Sequence, residues 1–227
     1  MRRTGIRRFG VATASVALLV FAANSAFAGA QVEEGLASSV VSGLQRAIAD
    51  NPVPVDYANR PDVRPWIDEM SRRLASRLPD ASTRNDFVAT VYYEATRAGL
   101  DPQLVLGVIQ YESNFRKYAI STADARGYMQ VMPFWTRLIG TAEHNLFHLR
   151  TNLRYGCVIL RHYLDIENGD LFRALGRYNG SLGRPEYPNG VLDTMNRNWL
   201  FTPVSAPKLT PVSAPKVGTA PSPIAVR

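Results

Sequence analysis

The sequence predicts a mostly α-helical protein, and two observations carry that prediction. Apolar residues recur at helical spacing in one segment after another, and no long polar–apolar alternation marks a strand. Helix punctuation falls between those segments, as at Asp101-Pro102 and Ala98-Gly99-Leu100. With 227 residues and 46% apolar content, one globular domain with extra segments is expected.

The chain divides into four parts. Residues 1–28 read as an export signal. Arg2, Arg3, Arg7 and Arg8 precede an apolar run from Phe9 to Ala23, and Ala26-Phe27-Ala28 supplies a small-x-small cleavage site. The run is short for a membrane span, so no stable span is expected after cleavage. Residues 29–65 read as a helix and a linker. Val32, Leu36, Val40, Val41, Leu44 and Ile48 make the amphipathic stripe, and Pro52, Pro54, Pro61 and Pro65 mark the linker.

Residues 66–200 form the main domain. Pro65 opens a helix with Trp66, Ile67, Met70, Leu74 and Leu78 on one side, and Pro79 stops it. A helix over 86–98 carries Phe87, Val91 and Ala95 in register. Asp101 as N-cap and Pro102 at the first helical position start the next, through Leu104, Val105, Leu106, Val108 and Ile109. A polar loop covers 121–127. Pro133 begins a helix with Phe134, Trp135, Leu138 and Ile139. A long helix spans 152–165, and Asp170 caps another with Leu171, Ala174, Leu175 and Tyr178.

Residues 201–227 repeat Thr-Pro-Val-Ser-Ala-Pro-Lys from Thr202 and again from Thr210. Such a composition cannot bury enough apolar surface to order itself, so a disordered tail is expected. It could draw the protein to anionic envelope polymers or to envelope proteins.

Charge excludes less than it first suggests. The formal +7 arises from the four leader arginines and from Lys208, Lys216 and Arg227, leaving residues 29–200 neutral. The high pI therefore gives no argument for nucleic acid as a partner. Cys157 is the single cysteine, so no intramolecular disulfide can form. It lies on a stripe with Leu153, Gly156, Leu160 and Leu164 and reads as a buried structural thiol. His144 and His148 have a spacing that permits a metal pair, but no cysteine or His-Glu-x-x-His pattern joins them. His162 is isolated. No metal and no cofactor is expected.

The chemistry concentrates between Gln110 and Pro133. Glu112 completes a face made by Val105, Val108 and Ile109. A carboxylate closing an apolar stripe is partly desolvated, and the helix C-terminus disfavours its charge. Both effects raise its pKa, as a general acid at neutral pH requires. Gly127-Tyr128-Met129-Gln130 follows as a tight turn, with an amide suited to hydroxyl and N-acetyl groups. Tyr178-Asn179-Gly180 ends a later helix, whose apolar face turns the Tyr178 hydroxyl inward with Glu112 as its expected partner.

Glu112-Ser113, then Gly127-Tyr-Met-Gln-Val-Met-Pro133, then Tyr178-Asn179-Gly180 resemble, in order and spacing, the soluble lytic transglycosylases. These are the goose-lysozyme-like enzymes of glycoside hydrolase family 23. The resemblance covers residues 82–200, and Asn152-Leu153 with Gly156 fits the family's Asn-x-x-x-Gly helix. It implies a lysozyme-like helical fold with a groove for peptidoglycan glycan strands. It implies Glu112 as the catalytic acid, oriented by Ser113, with Met129 and Gln130 lining saccharide sites and Tyr178 and Asn179 positioning acid and sugar. Tyr128 stands where leucine is usual, Arg177 where alanine is common, and Gly180-Ser181 where Ala-Gly is common.

The implied reaction needs one carboxylate. Glu112 protonates the oxygen linking N-acetylmuramic acid to N-acetylglucosamine, then takes the proton from the muramic C6 hydroxyl, which closes a 1,6-anhydro ring. Two rivals remain. A goose-type hydrolase would use water and a second carboxylate, for which Asp124 is the candidate. A wall-binding component of an envelope assembly would bind the strand without cutting it.

Overall fold

The structure, a computed structural model, describes residues 31, 33–49, 54 and 56–202. The expected leader, Val32, part of the proline-rich linker and the tail from 203 onward lie outside the described residues. Among those described, helices dominate, and pairing between strands is limited to isolated bridges from Arg126 to Ile120 and to Val131.

The helices are α1 (Ser38–Ile48), α2 (Arg64–Leu74), α3 (Ala81–Arg97), α4 (Pro102–Ser113), α5 (Phe134–Ile139), α6 (Leu149–Ile166), α7 (Leu171–Asn179) and α8 (Glu186–Asn198). A single 3-10 turn, Tyr57–Asn59, precedes α2. Two caps sit where the sequence puts them. Asp101 accepts from the Gln103 amide at 2.8 Å, and Asp170 from the Arg173 amide at 3.0 Å. Helix α3 begins earlier than its apolar register suggests, because Asp80 accepts from the Thr83 amide at 2.7 Å and caps a polar first turn.

Helix α4 is the central element. Leu104, Val105, Leu106, Val108 and Ile109 are all buried, so it is apolar nearly all round rather than amphipathic. It ends at Asn114 in the left-handed region (φ 46°), and Phe115 follows at φ 65°. A buried aromatic at positive φ is strained backbone, held here by packing of Phe115 against Phe87 and Trp199.

Helix α8, which the sequence reading does not anticipate, packs along α4. Its first turn holds Pro188, where a missing N–H costs nothing. Two glycines bring these helices together. A Cβ on Gly107 would lie 3.0 Å from Met195 Cβ, and one on Gly190 would lie 2.2 Å from the Tyr111 ring. On the other side of the molecule, α3 and α6 are joined by a buried bidentate pair. Arg154 donates to Glu94 through Nη2 at 2.7 Å and Nε at 3.2 Å.

The N-terminal segment docks on this body. Leu44 and Ile48 are buried in the common core, and α1 packs against α5 and α6. The Ala49 carbonyl accepts from Arg97 at 3.1 Å and from Arg154 at 3.3 Å. Residues 33–49 are therefore part of the domain's packing and not a separate helix on a linker.

Candidate active site

Glu112 stands in the last turn of α4, where the apolar side of the helix meets α8. The residue keeps some exposed surface, but its carboxyl group is desolvated, and this burial lifts it to about 7. The opposing influence is one hydrogen bond: the Tyr187 hydroxyl donates to Glu112 Oε1 at 2.6 Å and favours the ionised form. Among the described residues, no second acid contributes to that shift. Tyr187 itself is buried, edge-on to Tyr111 at 5.2 Å between ring centroids, and its phenol is pushed well above its ordinary value by burial and by Glu112.

Tyr187, not Tyr178, is thus the tyrosine bonded to Glu112. Tyr178 does turn inward and is 1% exposed, but its hydroxyl donates to the Met129 carbonyl at 2.7 Å. It lies close enough for the Glu112 charge to raise its pKa after burial has already done so. Helical periodicity found the right side of α7. It could not find the partner, because the closer tyrosine sits on a helix masked by Pro188 and Gly190.

The turn after Glu112 is held from three directions. Asn152, fully buried, accepts from the Met129 amide at 2.8 Å and donates to the Arg126 and Leu146 carbonyls at 2.8 and 2.9 Å. Gly127 (φ 75°) is required here, since a Cβ would lie 2.4 Å from the Asn152 amide nitrogen. Tyr178 holds the other side of Met129 through its carbonyl. The Met129 peptide is clamped at N–H and C=O together.

That clamp changes the roles expected of several residues. The Met129 side chain is fully buried and fills the space left by Gly156, where a Cβ would meet Met129 Sδ at 2.4 Å. It supports the turn from beneath, so this side chain does not line a saccharide site as expected. Gln130 (φ 49°) spends both amide hydrogens on its own turn, donating to Gly127 at 2.9 Å and to Ala119 at 3.2 Å. Neither hydrogen is free for a sugar. Ser113 is buried and donates to the Ile109 carbonyl at 3.1 Å, one turn back along α4, so its hydroxyl does not orient Glu112. Asn179 is buried at the end of α7, ahead of Gly180 in the left-handed region.

Asp124 is an exposed loop residue at φ 68°, and both its oxygens receive Arg126, at 3.0 and 3.1 Å. His144 meets the Tyr155 hydroxyl at 2.7 Å, and His148 precedes α6. Among the described residues, no group of three or more His, Cys, Asp or Glu side chains is arranged to hold a metal. Cys157 is buried, and its thiol is pushed well up by desolvation, which fits a packing role.

The described residues thus form a helical domain with a desolvated acid, Glu112, beside a clamped turn. Residues 90–189 match the family described as the transglycosylase SLT domain. The chain is 32% identical over 114 residues to a transglycosylase of Enterobacteria phage PRD1, covering 47% of this chain and 42% of that protein. It is 34% identical over 107 residues to membrane-bound lytic murein transglycosylase C of Histophilus somni (strain 2336), 47% of this chain and 24% of that one. A 39-residue stretch is 56% identical to the protein of that name in Haemophilus influenzae (strain PittEE), 17% of this chain and 11% of that one. The chain spans less than half the length of the curated relatives it matches.

Proposed function

We propose that the protein is a peptidoglycan lytic transglycosylase, cleaving the glycosidic bond between N-acetylmuramic acid and N-acetylglucosamine and leaving 1,6-anhydro ends. The observation that carries this reading is Glu112: a single desolvated carboxyl at about 7, with one phenolic donor and no acid acting on it. At neutral pH about half of such a group is protonated, so it can give a proton to the glycosidic oxygen. As the C1–O bond breaks, positive charge develops on the muramic ring and Glu112 becomes a carboxylate. Tyr187 stabilises that carboxylate by its short hydrogen bond. The carboxylate then takes the proton of the muramic C6 hydroxyl, whose oxygen closes on C1. The nucleophile belongs to the substrate, so its encounter entropy is already spent and no second acid is needed. The clamped Met129 turn supplies a rigid wall against which the sugar can be held.

The hydrolytic rival needs a carboxylate to activate water. Asp124 is exposed and bound through both oxygens to Arg126, which disfavours it for that task. The expected leader over 1–28 supports delivery to the periplasm, and the names of the relatives point to the envelope. No helix among the described residues is long and apolar enough to cross a membrane.

Two measurements test the reading on purified sacculi. The released muropeptides should carry anhydro ends, one water lighter than reducing ends, and reducing ends alone would favour the hydrolase. Glu112→Gln should lower release by at least about a hundredfold while remaining folded. Release within about tenfold of wild type would remove Glu112 from the chemistry.

A further inference from the structure

We propose that Tyr111 is a positioning residue of this site: its ring, seated in a notch at Gly190, sets the Tyr187 hydroxyl against Glu112. The catalytic consequence rests on the transglycosylase reading, and the placement rests on geometry alone.

Tyr111 and Glu112 are neighbours in the last turn of α4, and Tyr187 and Gly190 lie three residues apart on α8. Residues three apart share one side of a helix, so a ring placed over Gly190 also lies beside Tyr187. The two rings do meet, edge to face, at 5.2 Å between centroids and 89° between planes. A Cβ on Gly190 would lie 2.2, 2.7 and 2.8 Å from Tyr111 Cε2, Cζ and Oη. The outer end of the ring therefore fills the space that a side chain at 190 would take. Gly190 is not among the glycines at positive φ, so its backbone does not call for glycine. Glycine is a poor residue inside a helix, and room for the ring accounts for it here. Gly190 also stands one residue beyond the matched stretch, 90–189.

Gly107 makes the reciprocal contact. It lies four residues before Tyr111 on the same side of α4. A Cβ there would lie 3.0 Å from Met195 Cβ and 3.2 Å from the Val191 carbonyl. Each helix thus presents a glycine to a side chain of the other, which fixes both their separation and their register. The Tyr187 bond to Glu112, at 2.6 Å, spans that interface, and a hydrogen bond weakens steeply as its geometry departs from ideal.

The titratable groups around Glu112 are phenols. Tyr187 approaches from α8, Tyr178 from α7 and Tyr111 from its own helix, and each phenol is held above its ordinary value, first by burial and then by the Glu112 charge. Glu186, at the start of α8, adds to the Tyr111 shift and not to that of Glu112. The phenols stay protonated while Glu112 titrates, so that titration reports its burial and its bond to Tyr187.

Tyr111→Leu, Tyr111→Phe, Gly190→Ala, Tyr187→Phe and the double variant Tyr111→Leu/Tyr187→Phe are prepared in the full chain. Two readings are taken: kcat and KM against pH on uncrosslinked glycan strands, and the 13C titration of the Glu112 side-chain carboxyl, which needs no activity. Leucine stays apolar but reaches neither the notch nor the Tyr187 ring. Tyr111→Leu should raise the carboxyl titration and the alkaline limb of kcat by about half a pH unit, with kcat down about fivefold and KM within about twofold. Gly190→Ala expels the ring and should move both the same way, which keeps the test open if the leucine variant unfolds. Tyr111→Phe keeps the ring and should restore the wild-type titration and limb. In the Tyr187→Phe background, Tyr111→Leu should add less than about 0.2 pH unit.

An unmoved titration in Tyr111→Leu and Gly190→Ala, or an equal shift with and without the Tyr187 hydroxyl, would overturn the proposal. So would a shift to lower pH, since the ring would then act by keeping water from Glu112. A Tyr111→Phe variant that behaves like the leucine variant would also overturn it, because the Tyr111 hydroxyl would then carry the effect. A wild-type protein that releases no anhydro ends would overturn the functional reading instead, and the carboxyl titration would still decide the role of Tyr111.

Discussion

Glu112 is a residue whose usefulness and whose effect on stability have opposite signs. Its folded pKa of about 7 lies above the ordinary 4.5, so the folded protein holds this proton more tightly than the unfolded chain does. The associated stability is fully present below about pH 4.5 and is lost as pH rises through about 7. The difference amounts to at most about 3.5 kcal/mol, since each pKa unit corresponds to about 1.4 kcal/mol. Glu112→Gln should therefore match wild type near pH 4 and exceed it by about 2–3 kcal/mol at pH 8. Denaturant melts at the two pH values measure this, and equal stability at pH 8 would contradict a desolvated carboxyl. Tyr187→Phe acts on the same group in the other direction. Removing the donor to the ionised form raises Glu112 further. Catalysis by a protonated acid fails as pH rises, so the alkaline limb of the kcat profile should move to higher pH and kcat should fall. An unshifted limb would separate Tyr187 from Glu112 in function.

At the scale of elements, the legible parts were those whose signal is local. Asp101 and Asp170 cap where they are read to cap, because an N-cap needs only its own next turn. The inward side of α7 was legible for the same reason. Helix α8 was not, because Pro188, Asn189 and Gly190 read as a turn, and only the Tyr111 ring above Gly190 shows why glycine stands there. With α8 unseen, Tyr187 was unseen, and Tyr178 inherited its role. Gln130 and Ser113 misled differently: both are polar, and both are spent on nearby carbonyls that sequence cannot display. The buried Glu94–Arg154 pair between α3 and α6 was equally hidden. Arg154→Met would leave the Glu94 charge, which is 1% exposed, with the longer Arg97 pair at 3.6 Å, at a cost of up to about 3–5 kcal/mol. Adding Glu94→Gln to that variant should recover part of the loss. A single variant within about 1 kcal/mol of wild type would show that the pair contributes little.

At the scale of the molecule, the region shared with the family and the region that folds are different. The matched residues, 90–189, contain the acid, the clamped turn and both buried tyrosines. They lack Trp66, Met70 and Leu74 of α2, Phe87 and Val88 of α3, Val191 of α8 and Trp199 just after it, all buried in the common core. They also lack Leu44, Ile48 and the Ala49 carbonyl that two arginines share. Each large apolar side chain removed forgoes about 1.5–3 kcal/mol of burial, so losing even five of them is comparable to the whole stability of an ordinary domain. A fragment of residues 90–189 should therefore melt without a cooperative transition, whereas residues 31–202 should unfold in one. A chain from 56 to 202 should fall between them, folded but weakened by the loss of Leu44, Ile48 and Ala49. Calorimetry on the three chains orders them, and a cooperative transition in the shortest would mean that α1, α2 and the end of α8 decorate the domain without holding it together.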